Sequence, residues 1–156
     1  MISLARRAER VLMNTYGPRR LAFVRGRGVR VWDSAGRAYL DLLGGVAVNA
    51  LGHCHPAVVR AIRAQSGKII HASNLYLMEP QVRLAELLVG ATFADRVFFC
   101  NSGTEANEAA LKLARKYFFS KKEKRARLVT FAHSFHGRTT GSLALTAQEK
   151  YQKAFR

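Results

Sequence analysis

The 156-residue sequence is 49% hydrophobic, which suits one ordinary domain with a core and argues against a disordered chain. Lys and Arg total 26 against 10 acidic residues, a formal charge of +16 that invites polyanions, acidic membrane surfaces or small anionic substrates. Two cysteines without a secretory leader point to a reducing, cytoplasmic setting and no disulfide framework, and no apolar run approaches the roughly 18 residues of a membrane span.

From the start, Leu4, Ala8, Val11 and Leu12 recur at helical spacing, and the basic residues among them suit an amphipathic helix as well as a transit peptide. Asn14 to Pro18 is a Gly-Pro stop, with Tyr16 just ahead of it as a candidate pocket residue. Leu21–Val24, Val29–Trp32 and Ala38–Asp41 read as a small antiparallel meander, broken first by Arg25-Gly26-Arg27-Gly28 and then by Ser34-Ala35-Gly36. Leu43 to Gly52 is apolar but glycine-rich, which fits a closely packed loop better than a free strand.

His53, Cys54 and His55 are three potential metal ligands, but no second ligand pair lies at a recognisable zinc spacing. With Pro56 behind them, they read as the entry to a helix that Gly67 closes, and no metal is assigned. Ile69 to Tyr76 is a mixed connector, and Pro80 opens a further helix through Leu88.

Val97–Cys100 is a short apolar run of strand type, and from Thr104 the apolar residues take helical spacing to about Phe119. Asn101-Ser102-Gly103-Thr104 joins the two. Glycine and two hydroxyls beside the unpaired amides of a first helical turn can hold a phosphate, or Ser102 can simply cap the helix with Glu105 favouring the dipole. The basic run 121–127 carries no interleaved aromatics for base stacking and reads as a solvated loop. Leu128–Phe131 is the next buried strand, so that strand, helix and strand form the unit of a parallel α/β sheet. Phe135-His136-Gly137-Arg138 follows it. Ligands bind beyond the carboxyl ends of such strands, where Phe135 can stack on a planar ring and Arg138 can clamp a carboxylate; taken singly, Phe135 also suits a core and Arg138 a surface.

Taken together, these motifs closely resemble the class III aminotransferases that use pyridoxal phosphate, and within them the acetylornithine type. The matching segments run from Asn14–Tyr16 through Asp41–Asn49, Leu51–Pro56, Ser73–Tyr76, Glu79–Pro80 and Phe99–Glu108 to Phe135–Arg138. The resemblance implies a type I pyridoxal-phosphate transferase fold of the α/β class. Residues 1–52 would form an amino-terminal segment, and 53–156 the start of the large domain with an incomplete, mainly parallel sheet. It further implies that Ser102, Gly103 and Thr104 hold the cofactor phosphate, that Phe135 covers its ring, and that Arg138, with Tyr16 as a weaker candidate, meets the substrate.

The implied reaction passes the terminal amino group of N-acetylornithine to 2-oxoglutarate, within a homodimer as in the family. The family is well over twice as long as this chain. None of the eight lysines here stands at the position of the family's Schiff-base lysine, and the aspartate that pairs with the pyridine nitrogen is likewise unmatched, so no catalytic residue is assigned. Relatives also tend to place an arginine before the proline, where this chain has Gly17. The charge of +16 motivates a second reading, a fold remnant that binds anions or nucleic acid.

Overall fold

The meander forms as three antiparallel strands in the order β1-β2-β3, with β1 at Phe23–Arg27, β2 at Arg30–Asp33 and β3 at Ala38–Leu40. The computed structural model describes residues 4–125 and 127–155; the sequence readings at Met1–Ser3, at Ala126 in the basic loop and at Arg156 lie outside them. The expected break at Arg25–Gly28 is shorter than the sequence suggests. Arg25 and Arg27 are strand residues, with Arg27 opposite Arg30 and the turn confined to Gly28 and Val29. Gly26 stays within the strand because a Cβ there would lie 2.7 Å from the His53 ring, so glycine serves close approach and not a bend.

Asp33 ties the meander together. Its side chain, 3% exposed as a residue, accepts from the amides of Ala35 and Arg37 at 2.9 Å each, from Arg37 Nε at 2.8 Å and from the Tyr39 hydroxyl at 2.9 Å. Burial alone would raise its pKa, but donation from Arg37, Tyr39 and Ala35 outweighs it and lowers the value to about 2. Tyr39 packs edge-on to Phe23, and the Arg25 guanidinium lies 4.0 Å from the Trp32 ring centroid.

Contacts group the chain into two units, Met1–Leu77 and Met78–Arg156. Gly28 and His53 exchange two backbone hydrogen bonds of 2.9 and 2.8 Å that hold the segment around His53 to the meander. His53 Nε2 also lies 2.6 Å from Asp41 Oδ2, whose carboxyl is held below its ordinary value by the His53 ring first and the Gly44 amide next. The first unit also contains α1, Leu4–Val11, and α2, Pro56–Ser66, which starts at Pro56 as the proline predicts and ends before Gly67. Cys54 is free and exposed, as is Cys100 in the second unit.

The second unit contains α3, Glu79–Ala91, then α4, Gly103–Ser120, then the short α5, Thr140–Leu145, and α6, Glu149–Gln152, followed by a 3₁₀ turn over Lys153–Phe155. Helices α5 and α6 are not marked by the sequence pattern. Val97–Cys100 and Leu128–Phe131, expected as strands, carry no strand assignment, because a strand is defined by its ladder bonds and neither run has a ladder partner among the described residues. The deepest side chains of this unit are polar, Ser142 and Thr146 being fully buried beside Leu143. Thr146 Oγ1 accepts from the His136 amide and donates to the Gly137 carbonyl, which folds the 135–138 turn back onto α5. Among the described residues no helix is long and apolar enough to cross a membrane.

Candidate functional site

A capping box starts α4. Ser102 is extended, with φ −154° and ψ 159°, and its hydroxyl accepts from the Glu105 amide at 3.3 Å. Glu105 reaches back, accepting from the Asn101 amide at 2.6 Å and from Asn101 Nδ2 at 3.3 Å. Donation from Asn101, by its side chain first and its amide next, holds the Glu105 carboxyl below its ordinary value. The Ala106 amide bonds the Ser102 carbonyl, so the cap accounts for Glu105 and Ala106. The amides of Gly103 and Thr104 have no partner among the described residues. They are the orphan donors of a helix start, and a Cβ placed on Gly103 would meet nothing within 4 Å.

The residues that carry these amides line a cavity of about 570 Å³, together with Ser102, Asn107 and the run Phe135 to Thr139. Five expected site residues, Ser102, Gly103, Thr104, Phe135 and Arg138, are therefore brought around one space. Phe135 is 52% exposed, so it is not a core residue within this unit; its ring stands 5.5 Å from that of Tyr151, inclined at 68°. Arg138 also borders a second cavity of about 960 Å³ together with Leu143, Gln152 and Phe155. Tyr16 belongs to the first unit, where its side chain is exposed.

The turn is held to α4 by residues that the motif reading does not single out. Thr104, Asn107 and Glu108 share one helix face at the i, i+3 and i+4 positions. Asn107 Nδ2 donates to the His136 carbonyl at 2.7 Å and to the Gly103 carbonyl at 3.0 Å. Glu108 Oε1 accepts from the Ser142 amide at 2.9 Å and from the Thr139 hydroxyl. The Thr139 hydroxyl and then the Ser142 amide hold the Glu108 carboxyl below its ordinary value. Thr104 Oγ1 lies 2.6 Å from Ser142 Oγ and 3.0 Å from Thr139 Oγ1, so its hydroxyl is engaged within the protein. Gly137, with φ +131°, lies so close beneath this cluster that a Cβ would collide with Thr104 Oγ1 and Ser142 Oγ.

The arrangement has the parts of an anion cradle beside an aromatic face and a guanidinium. No group of three or more metal-ligating side chains comes together among the described residues. His53 instead bonds Asp41, and His55 precedes the first turn of α2.

The family model described as aminotransferase class-III matches residues 12–156. The chain is 53% identical over 148 residues to the acetylornithine aminotransferase of Caldanaerobacter subterraneus subsp. tengcongensis, covering 94% of this chain and 38% of that protein. It is 50% identical over 145 residues to the succinylornithine transaminase of Citrobacter koseri, covering 92% and 36%. Among solved structures, the ornithine aminotransferase of Toxoplasma gondii superposes with a TM-score of 0.88 at 27% identity, over 97% of this chain and 36% of that one, and is described with partial occupancy of pyridoxal phosphate at its active site. The chain thus spans little more than a third of the length of the relatives it matches.

Proposed function

Because the chain belongs to the class III aminotransferases and has part of their type I fold, we propose that its second unit supplies the phosphate and ring contacts of a pyridoxal-phosphate-dependent aminotransferase. The proposed reaction moves the terminal amino group of N-acetylornithine to 2-oxoglutarate, giving N-acetylglutamate 5-semialdehyde and glutamate. The observation that carries this reading is that Gly103 and Thr104, whose amides have no partner among the described residues, line the same cavity as Phe135 and Arg138.

The residues present fit the cofactor. Gly103 and Thr104 would hold its phosphate through their amides at the positive end of an 18-residue helix, with Ser102 fixing the helix start. Phe135 would cover one face of the ring. When bound, pyridoxal phosphate supplies an electron sink that acidifies the carbon bearing the amino group. Arg138 would clamp the substrate carboxylate with its planar fork and so decide which end of the substrate faces the cofactor. Tyr16, and a second copy of the chain in a homodimer, are part of the same proposal. None of the lysines is assigned as the cofactor-bonding residue. Borohydride reduction in the presence of pyridoxal phosphate, followed by peptide mapping, would expose an error there by finding a stoichiometric adduct on one lysine.

Gly103→Pro tests the cradle. Proline is tolerated in the first helical position, and the residue before it must be extended, as Ser102 already is. The substitution therefore removes one donor while keeping the helix, and pyridoxal phosphate affinity, measured by absorbance titration, should fall about 10-fold or more, as for loss of a charge-assisted hydrogen bond. Gly103→Ala retains the amide and places its Cβ in open space, so it should have the smaller effect. Equal affinity in Gly103→Pro and the parent would remove the cradle. The anion- or nucleic-acid-binding alternative draws on the basic run, where Arg125 pairs with Glu123 at 2.7 Å and lies over the Phe118 ring. That alternative requires oligonucleotide binding that weakens steeply with salt.

A further inference from the structure

We propose that Glu108 is a positioning residue: from the face of α4 that also carries Thr104, its carboxylate fixes the Thr139–Ser142 turn and thereby the place of Arg138 beside the helix start. The inference rests on the reading of Arg138 as the group that takes the substrate carboxylate.

Bonds from α4 bracket Arg138 on both sides. Asn107 holds the carbonyl of His136, two residues before it, and Glu108 holds the hydroxyl of Thr139, immediately after it. Between these anchors Gly137 lies against Thr104 too closely for any side chain. The turn is therefore set by α4 and not by its own residues alone. Thr139 stands at the N-cap of α5 without a side-chain cap bond, and Glu108 takes over that task from another helix by accepting the Ser142 amide.

The role needs an acceptor-only group. Two donors converge on Oε1, and the Gly141 amide adds to the donors around the carboxylate. A carboxamide in its place would lose the charge that strengthens both bonds, and its own N–H would be set against the Gly141 amide. Gly141 is part of the same fit, since a Cβ there would run into the Glu108 carboxylate. The phosphate amides are a separate matter. They belong to the helix start that Ser102 and Glu105 fix without Glu108, so the two ligands should respond differently when Glu108 is changed.

The test uses the full chain with pyridoxal phosphate, and compares the parent with Glu108→Gln and Gly141→Ala. For Glu108→Gln, N-acetylornithine affinity should fall about 10-fold or more, as for a lost hydrogen bond to a charged group, while pyridoxal phosphate affinity stays within about twofold. Hydrogen exchange at the Ser142 amide should quicken by a comparable factor. Gly141→Ala, which leaves the charge in place but displaces the carboxylate, should give the same split. The proposal is overturned if Glu108→Gln leaves N-acetylornithine affinity and Ser142 exchange at parental values. It is equally overturned if both ligands are lost in proportion together with helical circular dichroism, since that marks a folding role only. Should the parent bind neither ligand, the proposed function fails, and Ser142 exchange in Glu108→Gln against the parent still decides whether the carboxylate holds the turn.

Discussion

Asp33 places an acid-sensitive lock in the meander. Its pKa falls from 3.8 to about 2 on folding, so its contribution to stability is fully present above about 3.8 and is lost as pH drops through about 2. Melting temperatures of the parent and of Asp33→Asn should therefore differ at neutral pH and converge between pH 4 and 2. A constant difference across that window would show that the carboxylate charge is not what stabilises the turn. Gly137 carries a different constraint, a φ of +131° beneath two hydroxyls. Gly137→Ala should cost about 2–3 kcal/mol in urea unfolding, the scale of one strained backbone position with added crowding. At this scale Gly103, Phe135 and Arg138 are legible in the sequence because each residue type has a distinctive capability. Glu108 and Asn107 are not, because on a helix face a carboxylate and an amide read as solvated until the turn they hold is known.

Helix α4 shows what local punctuation can and cannot reveal. Its start is written in Ser102 and Glu105, and the sequence places its end within a residue or so of Ser120. Pro56 and Pro80 mark α2 and α3 in the same way. Ser102→Ala should lower stability by about 1 kcal/mol, the usual cost of an N-cap, measurable as a shift in the denaturation midpoint without a change of slope. A larger loss in pyridoxal phosphate affinity than in stability would mean that the hydroxyl meets the phosphate directly. The six-residue α5 lacks the length for a period, and its boundary depends on hydroxyl and carboxylate contacts with α4. Strand β1 is misjudged for a related reason, since Gly26 looks like a turn until the His53 ring is found against it.

At the scale of the whole chain, apolar residues are exposed in both units, including Val129 at 96% and Phe131 at 88% in a run that has no ladder partner among the described residues. Apolar runs with unpaired backbone groups recruit strands from other chains. Val129→Lys should accordingly reduce aggregation of the 156-residue chain several-fold by light scattering, as edge lysines do; undiminished scattering would place the sticky surface elsewhere. The α/β class was legible in the order of apolar runs, but sheet pairing was not, since periodicity within a run does not specify its neighbour. The polar character of the second unit's interior carries a calorimetric consequence. Unfolding raises heat capacity mainly by wetting apolar surface, and a typical domain of this length would show a step of about 2 kcal/mol/K. Among the described residues the buried hydrophobics are Val31 and Leu143, while Ser142 and Thr146 are the fully buried side chains. Scanning calorimetry of the chain should therefore give a broad transition with a heat-capacity step well under half of that typical value.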